Sequence, residues 1–247
     1  MNLFDVGNFY GLCAVLTTVL MFSDIPIYLA TSFPVYSKKI TITYVVCNIL
    51  ILSNAISLAF LANSDAYVAK YLVIAVGTFW VSYTQSYLII IYLTTVQVLG
   101  NIKALRIMKY VSIFIGLFQF SEYIVWVLSL WIPEEYNLPM DICDKISVTL
   151  ISLSEIVYSI ITIYYMRDMI PIEYRIKFEV IILKLVAIML MFCCLDISMM
   201  ILEYTNLGVY TYCMKHVFFY IKLRCEYMCL FKLKQIILVC IQEAEAY

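Results

Sequence analysis

Charge is what this sequence has little of. Asp, Glu, Lys and Arg make up 13% of its 247 residues, where soluble domains carry about 25%. A net charge of -1 also leaves no excess of Lys and Arg for binding phosphate backbones, so nucleic acid is excluded as a partner. Glycine and proline are scarce, at six and five residues, and no GxGxxG loop is present. Histidine occurs once, at His216. With one imidazole, no HExxH and no CxxC, a metal centre has no ligand set and a nucleophile has no positioned base. The chain is therefore read as a non-enzyme without a metal.

What is present is apolar: 65% of residues are hydrophobic, 16% are aromatic, and the mean hydropathy is +0.96. A helix needs about 20 mainly apolar residues to cross the hydrocarbon of a bilayer. Such windows fall at roughly 9–31, 40–62, 71–98, 109–131, 146–166, 179–202 and 206–227. The predicted fold is all-α, a seven-transmembrane-helix bundle; a barrel would show short alternating segments instead. Stretches with turn residues, such as "SFPVYSKK", "NSDAYVAK" and "PEEYNLPMDICDK", connect the windows. Twelve of the sixteen basic residues, among them Lys38, Arg106, Arg167 and Lys222, gather at one set of window ends. By the positive-inside rule this puts the N-terminus outside and the C-terminus inside. The first window lacks a basic n-region and a small-residue cleavage site, so it reads as a retained span.

After the seventh window, Lys232 and Lys234 interrupt "CLFKLKQIILVCIQEAEAY", which predicts a short amphipathic C-terminal helix lying on the inner surface. Residues 1–227 would then form the transmembrane domain and 228–247 a cytoplasmic tail. The expected location is a plasma membrane or endomembrane, with the lipid bilayer as the first partner. The nine cysteines fall mostly in apolar runs, where thiols act as small hydrophobes. Cys143 and Cys213 are the pair placed to allow an outer disulfide. Cys225, Cys229 and Cys240 lie near the inner surface, where acylation and plain packing are equal readings.

Ionisable residues inside spans are costly and mark candidate functional sites. Here they are Asp24, Glu122, Glu155, Lys184, Asp196, Lys215 and His216. Glu122, Glu155, Lys215 and His216 fall near the window centres, as do Gln85 and Gln119; Asp24 and Lys184 lie nearer the inner side and Asp196 nearer the outer. Ser152, Glu155, Ser159 and Thr162 follow helical spacing and share one face, predicted to look inward. Gln119, Glu122 and Trp126 share another face, and Thr78, Ser82 and Gln85 a third. Together they predict a midplane polar chamber to which the last span offers Lys215. Two readings of Lys215 stand side by side. It either pairs with Glu122 or Glu155 and fixes helix register, or belongs to a chamber that holds a ligand, a cofactor or a proton. His216 points about 100° away from Lys215 around the helix.

Seven windows and a mid-span lysine in the last of them, with Trp80 in "FWVSYTQSYLIII", resemble the microbial rhodopsin architecture. That resemblance implies retinal attached at Lys215 with Trp80 against the polyene. The sequence departs from the family at Phe79 and Thr211, where carboxylates are usual, and at "MFCCLDISMM" in the sixth span. The topology also resembles G-protein-coupled receptors, although "QVLGNIKALR" lacks their acidic-arginine pair and no NPxxY occurs.

The resulting expectation is a heptahelical receptor or sensor. A small molecule would bind among Gln85, Gln119, Glu122, Glu155, Asp196 and Lys215, and a cytosolic protein or a second copy of the chain would receive the signal. The alternatives are a secondary transporter or proton-coupled carrier with Asp24 and Lys184 on its access path, a retinal-binding photoactive protein, and a structural assembly subunit. Retinal is the one cofactor that the resemblance implies.

Overall fold

The computed structural model describes residues 6–32, 37–100, 102–170, 172–205 and 208–245; the side chains of 6–7, 24–32, 66, 166–169, 172–178, 208–213 and 240–245 lie outside that description. The described residues form seven α-helices and no strand: α1 (Val6–Ser32), α2 (Lys38–Leu61), α3 (Ala66–Leu99), α4 (Lys103–Ser129), α5 (Pro133–Met169), α6 (Ile172–Glu203) and α7 (Gly208–Glu245). Five of them, α2 to α6, contain stretches long and apolar enough to cross a membrane. The described apolar part of α1 is shorter, Asn8–Ser23. Helix α7 carries Lys215, Lys222, Arg224 and Glu226 within twelve residues.

The helices run past their apolar windows. At 34, 37 and 38 residues, α3, α5 and α7 reach about 50–57 Å, against about 30 Å of hydrocarbon. The stretch "PEEYNLPMDICDK", expected to be a loop, is the start of α5. Pro133 sits at the helix start, where its missing N–H costs nothing, and Glu134 and Glu135 face the positive end of the helix dipole. Helix α3 stops at Gly100, whose φ of 77° suits glycine and whose N–H donates to the Val96 carbonyl at 2.9 Å. The expected break near residue 227 is also absent: α7 continues to Glu245, and Leu230, Phe231, Leu233, Ile236 and Ile237 are buried rather than laid on a surface.

Each helix packs on the next, and α7 closes the ring by returning to α1 and α2. Helix α3 also touches α5 and α7, which places it at the centre of the ring. The main core follows α2, α3 and α7, from Cys47 and Ile51 through Tyr83, Tyr87 and Tyr220 to Val98, Leu99, Leu105 and Leu233. At the end where α3 turns into α4 this core carries no buried charge and is apolar apart from hydroxyls such as those of Thr94 and Thr95. Toward the end where α4 turns into α5, charged groups replace it.

Candidate functional site: two charged tiers and an aromatic partition

On α7, Lys215, Phe219, Lys222 and Glu226 follow spacings of four, three and four, which put them on one face. Lys215, Lys222 and Glu226 are buried, and Phe219 is half-buried. On α6, Asp196 and Glu203 stand seven residues apart and are buried as well. Two turns along one helix therefore face two turns along its antiparallel neighbour, about 10 Å in each case. Lys215 Nζ lies 3.1 Å from Glu203 Oε2, and Lys222 Nζ donates to Asp196 Oδ1. Both rungs belong to a single antiparallel register.

The tier around Lys222 has further members. Its ammonium also donates to Glu155 Oε2 on α5 and stands 6.0 Å from the centre of the Tyr87 ring. The Tyr87 hydroxyl donates to Glu226 Oε2 at 2.8 Å. In the tier around Lys215 the ammonium lies 4.9 Å from the Trp80 ring centre. Asp144 on α5 sits beside both Glu122 and Glu203. Between the tiers Phe219 meets Trp80, Tyr83 and Tyr87 edge-on, with ring centres 5.5–5.9 Å apart, the arrangement that aromatic quadrupoles favour.

Three cavities follow α7. The first, about 430 Å³, is lined by Asn54, Gly77, Trp80, Glu122, Trp126 and Asp144 together with Lys215 and His216. The second, about 470 Å³, lies between the tiers and is lined by Trp80, Ile151, Asp196, Lys215, Phe219 and Lys222. The third, about 280 Å³, is lined by Thr95, Tyr158, Ser159, Thr162 and Glu226 among others. Trp80 and Lys215 form the partition between the first two. Gly77 permits the first cavity's wall: a Cβ there would stand 2.9 Å from Trp126 Cε3 and 3.0 Å from the Tyr123 ring.

Several expected residues meet at this site. Ser152, Glu155, Ser159 and Thr162 are all buried, as their spacing predicts. Glu122 and Trp126 line the first cavity together. Other placements differ from expectation. Lys215 has Glu203 as an ion-pair partner and its charge also acts on Glu122, while Glu155 goes to Lys222. Lys222, counted at the sequence level as an inner-surface charge, is 5% exposed.

Gln85 and Gln119 clasp each other between α3 and α4, and Gln119 Nε2 also donates to Thr84 Oγ1 at 3.0 Å. Thr78 is exposed and bonds Tyr123 at 3.0 Å, so the α3 face turned to the cavities is the aromatic one. Lys184 is exposed on α6. Cys229 is buried against Leu230 and Leu233, while Cys225 is half-buried. The side chains of Asp24, Cys213 and Cys240 lie outside the described residues, and with them the Cys143–Cys213 pairing.

The retinal expectation can be tested against these contacts. Trp80 does pack on Lys215, and an anion stands beside the ammonium. That anion is Glu203 at the end of α6, which the sequence reading did not name, and Glu122 lies within reach of the same charge.

Comparison with known proteins adds no constraint: no protein-family model, curated protein or solved structure matches the chain.

Proposed function

We propose that the protein is a seven-helix membrane receptor or sensor, with its N-terminus outside, that binds a small molecule in the first cavity and reports the binding at its cytosolic end. The observation that carries this reading is the asymmetry of the bundle. A cavity with aromatic walls and buried carboxylates lies toward the α4–α5 end, and the α3–α4 end is filled by Val98, Leu99, Leu105, Leu230 and Leu233. Pockets with apolar and aromatic walls and a few convergent polar groups are the usual small-molecule sites.

The ladder between α6 and α7 supplies a route for the signal. A ligand that engages Glu122 and Asp144 alters the charge facing Lys215, and with it the strength of the Lys215–Glu203 rung. Because the Lys222–Asp196 rung shares that register, the two helices respond as a unit, and the buried inner end of α7 moves with them. The ligand must favour one of the two arrangements for any such shift to occur.

The stacking of three cavities along α7 favours a second reading, a carrier in which Lys215 and Lys222 divide an access path. Reconstitution separates the two. For a receptor, a compound that stabilises the purified protein, and loses that effect when Trp126→Ala opens the cavity wall, changes hydrogen exchange in 103–108 and 228–237 without being accumulated by liposomes. Accumulation inside the liposomes would make it a carrier. Retinal belongs in the same panel: a red-shifted visible band absent from Lys215→Ala would transfer the protein to the photoactive reading.

A further inference from the structure

The first cavity also points to a class of ligand, an inference that rests on reading this cavity as the binding site. Three carboxylates, Glu122, Asp144 and Glu203, are buried at this end of the bundle with one lysine, Lys215. The lysine's charge is engaged by Glu203 at 3.1 Å and by the Trp80 ring, so it is poorly available to an anion. Glu122 also feels the Lys215 charge and lies beside Ser147 and Asp144. It is 5% exposed, it lines the cavity, and its Oε2 has no hydrogen-bond partner among the described residues. Nδ1 of His216, 2% exposed on the same wall, has none either. A buried carboxylate oxygen without a partner is costly unless a proton or a cation meets it.

The rest of the lining describes what that cation would be attached to. Trp80, Tyr123 and Trp126 bring aromatic faces, and Leu58 and Val76 bring alkyl surface. Aromatic faces attract ammonium groups. Among the described residues no His, Cys, Asp and Glu group is arranged to hold a metal. We propose that the first cavity binds a small organic ammonium ion with an apolar or aromatic body. Its charged end lies on Glu122 and Asp144, and its body lies between Trp80, Tyr123 and Trp126.

The test uses the full chain in nanodiscs and three compounds of nearly one shape: phenethylammonium, the neutral phenethyl alcohol and the anionic phenylacetate. Saturable binding above that of empty nanodiscs is measured for each. The expected result is binding of the ammonium about ten- to a hundredfold tighter than of the other two, as a charge-assisted hydrogen bond to a buried group provides. Glu122→Gln should remove that preference, while Trp126→Phe, which keeps the carboxylate, should retain the order of the three compounds at lower affinity. Equal or tighter binding of the alcohol or the anion, abolished by Gly77→Ile, would overturn the ammonium inference and leave the cavity as a ligand site. Saturable binding of none of the three overturns the ammonium inference as well. If, in addition, the compound panel yields nothing that depends on the cavity wall, the receptor reading falls with it.

Discussion

Lys222→Met is the substitution that most directly probes how the bundle is held together. Lys222 is one cation serving two carboxylates on different helices, Glu155 on α5 and Asp196 on α6, with Glu226 one turn further along its own helix. Methionine keeps the length and apolar stem of lysine and removes only the charge, which strands both acids in a site where all members are at most 8% exposed. Breaking a buried ion pair by removing one partner costs about 3–5 kcal/mol, whereas replacing a whole buried cluster by neutral groups is neutral or stabilising by about 1–4 kcal/mol. The single variant should therefore lose at least about 3 kcal/mol, and the triple variant Lys222→Met/Glu155→Gln/Asp196→Asn should recover most of it. Reversible unfolding in mixed micelles followed by circular dichroism reads both, with Lys184→Met as an exposed control expected to match the parent. A loss below about 1 kcal/mol, the range of a surface ion pair, would refute the buried triad. A triple variant no more stable than the single would refute the charge argument even if the single proved too unstable to purify.

Three other outcomes are expected. Gly77→Ala should destabilise by about 1–3 kcal/mol through overpacking, since the new Cβ would meet Trp126 at 2.9 Å and the Tyr123 ring at 3.0 Å; Gly11→Ala, with nothing within 4 Å, should be neutral or mildly stabilising in the same unfolding assay, and a Gly77→Ala protein as stable as the parent would refute the close packing. Leu233→Ala should cost about 2–5 kcal/mol as a core truncation, and amides at 228–237 should be protected from hydrogen exchange; a helix lying on the membrane surface would show neither. In a cysteine-free background and right-side-out vesicles, Glu135→Cys should react with an impermeant maleimide and Lys103→Cys should not, and the opposite labelling would invert the orientation.

The sequence made the helical class and the approximate window centres legible because apolar run length is a property of composition, independent of packing. It also showed which way α5 faces, since four polar residues at helical spacing have one low-energy direction in an apolar solvent, toward one another. Rotation of the remaining helices was harder to see. A lysine near a window end can reach the lipid headgroups or turn inward, and the positive-inside count assigned Lys222 to the first alternative on position alone. The signal that would have corrected it is relational: Asp196 and Glu203 repeat at seven residues, Lys215 and Lys222 do the same, and the short turn between α6 and α7 brings the two repeats face to face. Gln85 and Gln119 show the complementary difficulty. Their spacing placed each beside other polar groups on its own helix, but whether two amides clasp each other or line a cavity depends on which helices are neighbours. The end of α7 was misjudged for a related reason. Lys232 and Lys234 break the linear apolar run, yet Leu230, Leu233 and Ile237 hold the three-and-four spacing, so the chain keeps one buried face while Lys232 stays exposed.

A census of the buried charges explains why the first cavity, rather than the second tier, is the place to look for a ligand. The described residues bury six carboxylates, Glu122, Asp144, Glu155, Asp196, Glu203 and Glu226, against two lysines. In the tier around Lys222 the ammonium reaches Glu155 and Asp196, and Tyr87 donates to Glu226, with Glu155 Oε1 left open. In the tier around Lys215 the ammonium serves Glu203, and an oxygen of Glu122 is left facing a cavity with aromatic walls. The two tiers thus share one ratio of acids to lysines. The tier around Lys222 ties α5, α6 and α7 together as a strut, whereas in the tier around Lys215 an open carboxylate oxygen of Glu122 stands at the wall of a cavity, where a proton or a cation can meet it. A device that responds to a small molecule needs both: a strut stiff enough to carry a displacement and a site whose electrostatics change on occupation.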